Sequence, residues 1–471
     1  MSKHVERYLG FDCGNSSIRT MVGTFDGSAI TLELVSQVPN KEYLCIHYDY
    51  WDILSIFSEM LKGMKQACDA YPDIRSFGIS TWGIDFGLLG RSGELLANPL
   101  CYRNVLGEQA LKSMPASVRL QLFRETGIQN LAMNSLYQLE GIRNHLPEYY
   151  EMAETLLLIP DLLNHLFTGE KNSEVSIAST SQWLGMQSRT YSQTVLSLLG
   201  VKPNLLVPLV GHTKVRGYLS PALSERYHIP RLPAISVPSH DTAAAVVSVP
   251  ASSSKFAFIS SGTWSLIGTE CAEPIINDVV QETGFSNEGG MLGSITLLKN
   301  SCGMHILQNI KREMEFVDNR SYRWDELVDL SRPALASPSL VTFDPNAAQL
   351  YHPTSMIEEI TALTGLQDRG TILASAYRSL AISYRQALKD LERITNEEYE
   401  TVHIIGGGAR NDHLNQMTAD LTGKRVQAGP EEATSLGVIA VQIMHDHPGM
   451  SLQDMRTIVS NSVQISNFLP Q

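Results

Sequence analysis

The residues with the clearest capacity for chemistry lie in the sequence Ser239-His-Asp-Thr242. This stretch follows a strand-like segment and precedes three alanines, which favour a helix. Asp241 is therefore predicted at a strand-to-helix junction, and Thr242 is predicted to be the N-cap of the helix. A carboxylate at such a junction can act as a general base. An ordinary helix cap beside a hydrogen-bonded histidine also explains these residues and, for this segment alone, is the better explanation.

Two turns rich in glycine and hydroxyl groups could bind phosphate. The first is Asp12-Cys-Gly-Asn-Ser-Ser17, and the second is Ser260-Ser-Gly-Thr263. Their backbone N–H groups and hydroxyls are suited to phosphate, whereas the carboxylate of Asp12 would repel a bare phosphate unless Mg²⁺ lay between them. An ordinary surface hairpin remains an equally good explanation of the first turn taken alone.

Each of these turns joins two predicted strands, within residues 7–25 and 255–270. The repeated strand–turn–strand plan predicts two similar domains. The segment 249–254 has the composition of a connector, so the boundary is placed between domains 1–248 and 249–471.

A third candidate site is Gly406-Gly-Gly408, which follows a β-branched strand and precedes a predicted helix over 412–422. Glycines let the backbone approach a flat or anionic ligand, and a helix that follows them directs its N-terminus there. The spacing is neither that of a Rossmann fingerprint nor that of a P-loop. Taken with the two turns and Asp241, it supplies the parts for phosphoryl transfer without a P-loop.

Composition limits the classes of function. The chain has 471 residues, of which 43% are apolar and 18% charged, and its net charge of -13 argues against a nucleic-acid partner. Six scattered cysteines without a C-x-x-C pair suit free thiols in a reducing cytosol. Because no apolar run approaches the roughly 20 residues that span a bilayer, a soluble cytoplasmic protein without membrane partners is expected.

Periodicity predicts the elements that must position these residues. Apolar residues at helical spacing predict helices over 51–70 and 370–394. The Leu-rich segment 155–167 also predicts a core helix, whereas 174–183 is predicted to be a loop and 317–353 to be irregular. Gly83, which follows Trp82, marks a place where backbone and an aromatic ring could meet a small polar ligand.

Together these motifs resemble the FGGY carbohydrate kinases. The resemblance runs from residue 7 to about residue 465 and is carried by the segments 11–17, 78–86, 239–242, 260–264 and 406–408. It implies an α/β fold of two ribonuclease-H-like, actin-like ATPase domains with a central cleft. It also implies transfer of the γ-phosphate of ATP to a sugar, with Mg²⁺ as cofactor. Within the family the segments 134–138, 159–161, 287–290 and 298–300 are most similar to kinases that convert L-rhamnulose to L-rhamnulose 1-phosphate.

The resemblance also implies roles for single residues. Asp241 corresponds to the general base, and Asp12 is similar to the residue that holds Mg²⁺ through water. The positions implied at the sugar are Gly83, His240, Thr242 and Asn300. The positions implied at ATP are Asn15, Ser16, Ser17, Ile18, Arg19, Thr263, Gln308 and Gly407.

Three residues depart from the family pattern. Ser80 and Asn104 stand where the L-rhamnulose kinases typically have Asp, and Ile18 stands where a Gly is usual. Because lost carboxylates remove acceptors for sugar hydroxyls, L-fuculose, L-xylulose or another ketose or polyol is an alternative substrate. A non-catalytic, sugar-responsive actin-like protein is an alternative of another class, which the intact Asp12 and Asp241 disfavour. The expected partners are a small-molecule sugar and ATP, and the expected state is a monomer or a homodimer.

Overall fold

The computed structural model describes residues 5–351 and 353–471. Its strands are β1 (Glu6–Cys13), β2 (Ser17–Phe25), β3 (Ile30–Pro39), β4 (Glu42–Cys45), β5 (Tyr48–Trp51), β6 (Ile74–Thr81), β7 (Phe86–Leu89), β8 (Thr155–Leu158), β9 (Ser173–Glu174), β10 (Leu184–Gly185), β11 (Thr190–Tyr191), β12 (Leu209–Val210), β13 (Val215–Tyr218), β14 (Pro233–Ile235), β15 (Ala257–Ser261), β16 (Trp264–Cys271), β17 (Ser286–Gly289), β18 (Ile295–Cys302), β19 (Thr401–Ile405), β20 (Arg425–Ala428) and β21 (Ser466–Phe468).

The α-helices are α1 (Ile53–Ala70), α2 (Val105–Ser113), α3 (Ala116–Thr126), α4 (Ser135–His145), α5 (Pro147–Met152), α6 (Ile159–Thr168), α7 (Val175–Thr180), α8 (Gln193–Leu199), α9 (Pro221–Tyr227), α10 (Asp241–Val247), α11 (Asp278–Thr283), α12 (His305–Asp318), α13 (Trp324–Leu335), α14 (Met356–Thr364), α15 (Arg369–Thr395), α16 (Asp412–Thr422), α17 (Ala433–Asp446) and α18 (Leu452–Ser462). Short 3₁₀ turns lie at Pro203–Leu205, Met291–Gly293, Ala348–Leu350 and Gly407–Arg410.

The chain forms two compact units. The first unit contains the described residues up to Ser252 together with Glu270–Leu297 and Ala433–Val463. The second unit contains Ser253–Thr269, Leu298–Glu432 and Gln464–Gln471. The domain boundary that the sequence predicts between residues 248 and 249 stays a prediction.

The first unit is built on a six-stranded sheet with the order β13-β14-β6-β1-β2-β3. Strands β1, β2 and β3 are antiparallel to one another, whereas β6 is parallel to β1. Helix α17 packs on β1 and β6, and α10 packs on α17 so closely that a Cβ at Gly437 would lie 1.9 Å from the carbonyl oxygen of Ala244. This face of the sheet therefore holds the start of α10 in a fixed place.

The sheet of the second unit repeats the same plan. Strand β15 pairs antiparallel with β16 and parallel with β19, and β19 pairs parallel with β20. Each sheet thus has an antiparallel hairpin next to parallel strands that follow later in the chain. The predicted strand–turn–strand repeat is confirmed, because one hairpin is β1–β2 and the other is β15–β16.

Several predicted helices have simple local causes. Helix α1 begins where the side chain of Asp52 accepts a hydrogen bond from the Ser55 N–H, and one apolar stripe of α1 is buried. The long helix predicted over 370–394 is confirmed as α15. The part of the chain described by the structure contains no helix long and apolar enough to cross a membrane.

Three predictions of local structure are wrong in part. Segment 155–167 begins with strand β8, which pairs with β7, and the helix starts only where Pro160 fits the first turn. Segment 174–183 contains α7, because the side chain of Glu174 caps the N–H groups of Ser176 and Ile177. Segment 317–353 contains α13, whose start is a capping box.

Candidate active site

Asp241 lies at the start of α10, at the predicted strand-to-helix junction. The N–H of Thr81, the last residue of β6, donates to the Ser239 carbonyl oxygen at 2.9 Å, which ties the segment before the helix to the sheet. The prediction that Thr242 is the N-cap is wrong: the helix starts at Asp241, and His240 is the N-cap residue. Asp241 Oδ1 instead accepts from the N–H of Thr242 at 2.6 Å and from its hydroxyl at 3.2 Å.

Three of the four predicted sugar positions lie together in the first unit. A Cβ placed on Gly83 would lie 3.4 Å from His240 Cδ2 and 3.3 Å from the Thr180 side chain, so the backbone at Gly83 faces the His240 ring. Thr242 is hydrogen bonded to Asp241. Asn300 lies in the second unit, where it is exposed on β18.

The charge of His240 is set by its neighbours. Its Nδ1 lies 3.0 Å from Glu288 Oε2, and its Nε2 lies 3.3 Å from Asp241 Oδ1. Burial alone would lower the pKa of His240, but the carboxylates of Glu288, Asp241 and Glu174 outweigh burial and raise that pKa to about 9. His240 is therefore an imidazolium at neutral pH.

Helix α7 supports three segments of this site through hydroxyl groups on one helical face. The Ser176 hydroxyl accepts a hydrogen bond from the His240 N–H at 3.2 Å. The Ser179 hydroxyl accepts from the Gly289 N–H at 2.8 Å, next to Glu288. The Thr180 hydroxyl accepts from the Ile84 N–H at 3.1 Å, next to Gly83. One short helix thus sets the relative positions of Gly83, His240 and Glu288.

The carboxylate of Glu174 lies fully buried beneath the Asp241 loop. It accepts from the Ser239 N–H at 2.8 Å and from the Ser176 N–H at 2.7 Å, and His212 Nε2 lies 2.7 Å away. Burial would raise the pKa of Glu174, but His212 and Ser176 hold it below its ordinary value. Glu174 is therefore an ionised group that fixes the backbone just before Asp241.

A second buried ion pair, formed by Arg216 and Asp161, also lies next to Ser239. The Arg216 guanidinium donates to Asp161 Oδ1 at 2.6 Å and to the Ser239 hydroxyl at 3.4 Å. Burial nevertheless raises the pKa of Asp161. Together with Glu174, this pair surrounds Ser239 with partners, so the residue before His240 has little freedom to move.

Asp85 anchors the segment that carries Gly83. Its Oδ2 accepts from the indole N–H groups of Trp51 at 2.6 Å and Trp82 at 3.0 Å, and its Oδ1 accepts from Gln138 at 3.0 Å. Complete burial raises the pKa of Asp85 to about 7 despite these hydrogen bonds. The carboxyl group thus fixes the Trp82 ring and orients the turn that follows it.

Two of the three residues that depart from the family pattern, Ser80 and Asn104, are held by hydrogen bonds. Ser80 is fully buried, and its hydroxyl donates to the Ser239 carbonyl oxygen at 3.3 Å. The side-chain amide of Asn104 forms two hydrogen bonds with the backbone of Asp49. It accepts from the Asp49 N–H and donates to the Asp49 carbonyl oxygen, each at 2.9 Å. Both residues therefore hold backbone segments together.

The first predicted phosphate turn is a tight hairpin between β1 and β2. The Gly14 N–H donates to the Ser17 carbonyl oxygen at 2.9 Å, and the Asn40 amide donates to the Gly14 carbonyl oxygen at 3.0 Å. Ser16 is exposed at the tip, with Asn15 and Ser17 on either side. The side chain of Ile18 is buried in the core, which explains why a large residue is tolerated there and leaves only its backbone for a ligand.

Asp12 precedes this turn and fits the role of a Mg²⁺ residue. Its side chain is 14% exposed, Arg19 Nη1 lies 3.9 Å from its Oδ2, and the Ser435 hydroxyl donates to Oδ2 at 3.4 Å. Within the described part of the chain, no group of three or more metal-binding side chains occurs. A single carboxylate agrees with the ordinary mode of Mg²⁺ in kinases, where phosphate oxygens and water supply the other ligands.

In the second unit the other two predicted nucleotide segments lie side by side. A Cβ on Gly408 would lie 2.0 Å from the Ser261 hydroxyl oxygen, whereas a Cβ on Gly407 would meet nothing within 4 Å. Thr263 is exposed at the turn after Ser261, and the His305 N–H donates to its carbonyl oxygen at 3.3 Å. Gln308 follows on the same helix and is exposed. The Gly-rich turn and the second hairpin thus form one backbone surface.

The family of the chain follows from domain-level matches. Residues 7–248 match the N-terminal domain and residues 257–445 match the C-terminal domain of the FGGY family of carbohydrate kinases. The chain belongs to the FGGY family of carbohydrate kinases. As such it is an enzyme, an ATP-dependent sugar kinase, and the family resemblance predicted from its motifs is confirmed.

Curated relatives cover almost the whole chain. The rhamnulokinase of Bacteroides thetaiotaomicron is 34% identical over 473 residues, covering 99% of this chain and 96% of that protein. The rhamnulokinase of Bacillus subtilis is 32% identical over 472 residues, covering 98% and 95%.

Solved structures support the fold. A ligand-bound xylulose kinase from Lactobacillus acidophilus aligns with a TM-score of 0.83 at 17% identity, over 99% of this chain and 94% of that one. A Plasmodium falciparum glycerol kinase with ADP aligns with a TM-score of 0.79 at 14% identity, over 99% and 94%. The predicted α/β fold of two domains is confirmed.

Four buried groups around the site were not assigned a role from the sequence: Asp85, Glu174, Glu288 and Arg216. Asp85 and Glu288 stand within segments that carry the family resemblance, two residues after Gly83 and directly before Gly289, so their position was an available signal. Glu174 and Arg216 left no such signal, because their partners are distant in sequence.

Proposed function

We propose that this enzyme phosphorylates the 1-hydroxyl of L-rhamnulose to give L-rhamnulose 1-phosphate. The observation that carries the choice of sugar is the similarity to curated rhamnulokinases, which extends over 98–99% of the chain at up to 34% identity. The arrangement of Gly83, His240 and Thr242 around Asp241 supports a site for a small polyhydroxylated ligand.

In this proposal Asp241 is the general base. The sugar hydroxyl transfers its proton to the Asp241 carboxylate while its oxygen forms a bond to the γ-phosphorus of ATP. The bond from that phosphorus to the bridging oxygen breaks, and ADP leaves. Because the carboxylate is partly exposed at the start of a helix packed on the sheet, it is accessible and held in place. Such a base contributes roughly 10²–10⁴ in rate.

The proposed ATP positions are the two hairpin turns and the Gly-rich turn. Backbone and polar side-chain groups at the exposed Ser16, Thr263 and Gly407, and at the half-buried Asn15 and Ser17, are suited to phosphate oxygens. Ile18 contributes only backbone, while Arg19 and Gln308 supply polar side chains. Asp12 would hold Mg²⁺, which offsets the phosphate charge when it is bound. Asn300 is proposed to contact sugar or phosphate.

Two further proposals concern the cellular location and the oligomeric state of the enzyme. We expect it to act in the cytoplasm, which its six cysteines support because all six are free thiols in the structure. A monomer or a homodimer is expected, and sedimentation of the purified chain would distinguish the two.

The decisive experiment measures ADP release with L-rhamnulose, L-fuculose, L-xylulose and a panel of polyols, with and without Mg²⁺. The expected result is that L-rhamnulose gives the highest kcat/KM and that the product carries phosphate on O1. A higher kcat/KM with another ketose would replace the proposed sugar. Absence of sugar-stimulated release with every compound would contradict the kinase assignment and favour a non-catalytic, sugar-responsive protein.

A further inference from the structure

The imidazole of His240 is held between two carboxylates of the first unit. The distances are 3.0 Å from Nδ1 to Glu288 Oε2 and 3.3 Å from Nε2 to Asp241 Oδ1. The His240 and Glu288 side chains are only 10% and 12% exposed. A neutral imidazole has one N–H, so one nitrogen would turn its lone pair towards a carboxylate. In the imidazolium both nitrogens belong to a positively charged ring, so each contact is an ion pair, and the two distances therefore favour the charged ring.

The two oxygens of Asp241 have different surroundings. Oδ1 faces His240 Nε2 and accepts both hydrogen bonds from Thr242. Among the described residues, no hydrogen-bond donor to Oδ2 is observed, and the side chain is 35% exposed. Oδ2 is thus the oxygen available to a substrate, and the groups that hold Oδ1 determine where Oδ2 points.

Glu288 is itself held in place by its two chain neighbours. The Asn287 side chain accepts from the Ile275 N–H at 2.8 Å and donates to the Ile275 carbonyl oxygen at 2.9 Å. The Gly289 N–H donates to the Ser179 hydroxyl at 2.8 Å. The carboxylate therefore extends from a fixed backbone, which is what a group that positions another side chain requires.

We propose that Glu288 is a positioning residue for phosphoryl transfer: it holds His240 as an imidazolium whose Nε2 pairs with Asp241 Oδ1 and fixes that oxygen, leaving Oδ2 to accept the sugar proton. This inference rests on the proposed function. The sugar hydroxyl gives its proton to Oδ2, its oxygen bonds to the γ-phosphorus, and ADP leaves with the electrons of the broken P–O bond. His240 keeps both ring protons throughout, and Glu288 stays ionised.

The other charged groups near His240 do not replace Glu288. Glu174 also raises the pKa of His240, but its carboxylate is already engaged by His212 and by backbone N–H groups. The Arg216 guanidinium reaches Ser239, the residue before His240, and its charge is balanced by Asp161. Glu288 is the largest of the contributions that raise the pKa of His240 to about 9 against the effect of burial.

The test compares Glu288→Gln with Glu288→Asp in the full chain. Glutamine keeps the size and an oxygen that accepts the Nδ1–H, but it lacks the charge. We expect the pKa of His240, followed by NMR of the ring nitrogens, to fall by about two to three pH units in Glu288→Gln and to stay raised in Glu288→Asp. At pH 8 the kcat/KM for the ketose should fall roughly 10- to 100-fold in Glu288→Gln, and at pH 6 by less than about 3-fold. At pH 6 at least about half of the His240 rings are protonated in both proteins.

Three results would overturn the inference. One is a wild-type His240 pKa below 7, which needs no variant to fold. Another is an unchanged His240 pKa in Glu288→Gln. The third is a loss of activity that is equal at pH 6 and pH 8, which would make Glu288 a structural residue only. If the wild-type chain releases no ADP with any sugar, the proposed function fails and this inference with it, whereas the NMR titration still reports separately on the ion pair.

Discussion

Trp51 and Trp82 share one acceptor: both indole N–H groups donate to Oδ2 of Asp85, at 2.6 and 3.0 Å. The two rings lie 4.5 Å apart between centroids. Because Trp82 precedes Gly83, a buried carboxyl group determines the path of a segment proposed to contact the sugar. The burial of Asp85 raises its pKa to about 7, so its ionisation falls within the physiological pH range.

The first prediction concerns this titration. Since the folded state binds the Asp85 proton more tightly than the unfolded chain, the free energy of unfolding contributed by Asp85 falls as the pH rises from about 4 to about 7. The difference is at most about 4 kcal/mol. In Asp85→Asn this dependence should be absent, as should a change in tryptophan fluorescence near pH 7. Denaturant unfolding at several pH values checks the free energy, and a fluorescence titration of the two proteins checks the tryptophan signal. Identical results for the two proteins would contradict the raised pKa.

The second prediction concerns Asp241→Asn. The amide keeps the size of the side chain but cannot accept the proton, so kcat should fall roughly 10²- to 10⁴-fold with little change in the KM for sugar. Steady-state ADP release provides the measurement, and Asp69→Asn on the exposed face of α1 is the matched control. Full activity in Asp241→Asn would show that another group is the base.

The third prediction uses two neighbouring glycines of the Gly-rich turn. Gly407→Ala meets no neighbour within 4 Å and should leave the melting temperature unchanged while raising the KM for ATP. Gly408→Ala places a Cβ 2.0 Å from the Ser261 hydroxyl and should destabilise the second unit by about 1–3 kcal/mol. Thermal unfolding and ATP kinetics separate the two effects. An unaltered KM for ATP in Gly407→Ala would remove Gly407 from the nucleotide site.

The fourth prediction tests Ser80. Ser80 is fully buried against the Ser239 carbonyl oxygen and pairs in register with Asp12. An Asp at position 80 would therefore bury a second carboxylate near the Ser239 carbonyl oxygen and the carboxylate of Asp12. Ser80→Asp should therefore lower stability and reduce kcat/KM for all ketoses by similar factors, with Ser80→Ala as the control. A changed order of preference among the sugars would show instead that this position selects the substrate.

The local backbone patterns of the candidate site were more predictable from sequence than the groups that support them. The hairpin turns and the Asp241 junction are local patterns of strand, turn and helix, which the structure reproduces. Helix α7 was predicted as a loop because its six residues are mostly small and polar, with no apolar period. Its stability comes from the Glu174 cap and from buried hydroxyl contacts, which depend on segments far along the chain.

The position of α7 also bears on how this enzyme can change its substrate. Because Ser176, Ser179 and Thr180 each support a different segment of the proposed sugar site, a substitution in α7 should displace several of these segments at once. Effects of mutations at Gly83, His240 and Glu288 should then be strongly epistatic, since all three share one support. Directed evolution towards a new ketose would progress by pairs of compensating changes across these segments more readily than by single steps within one of them.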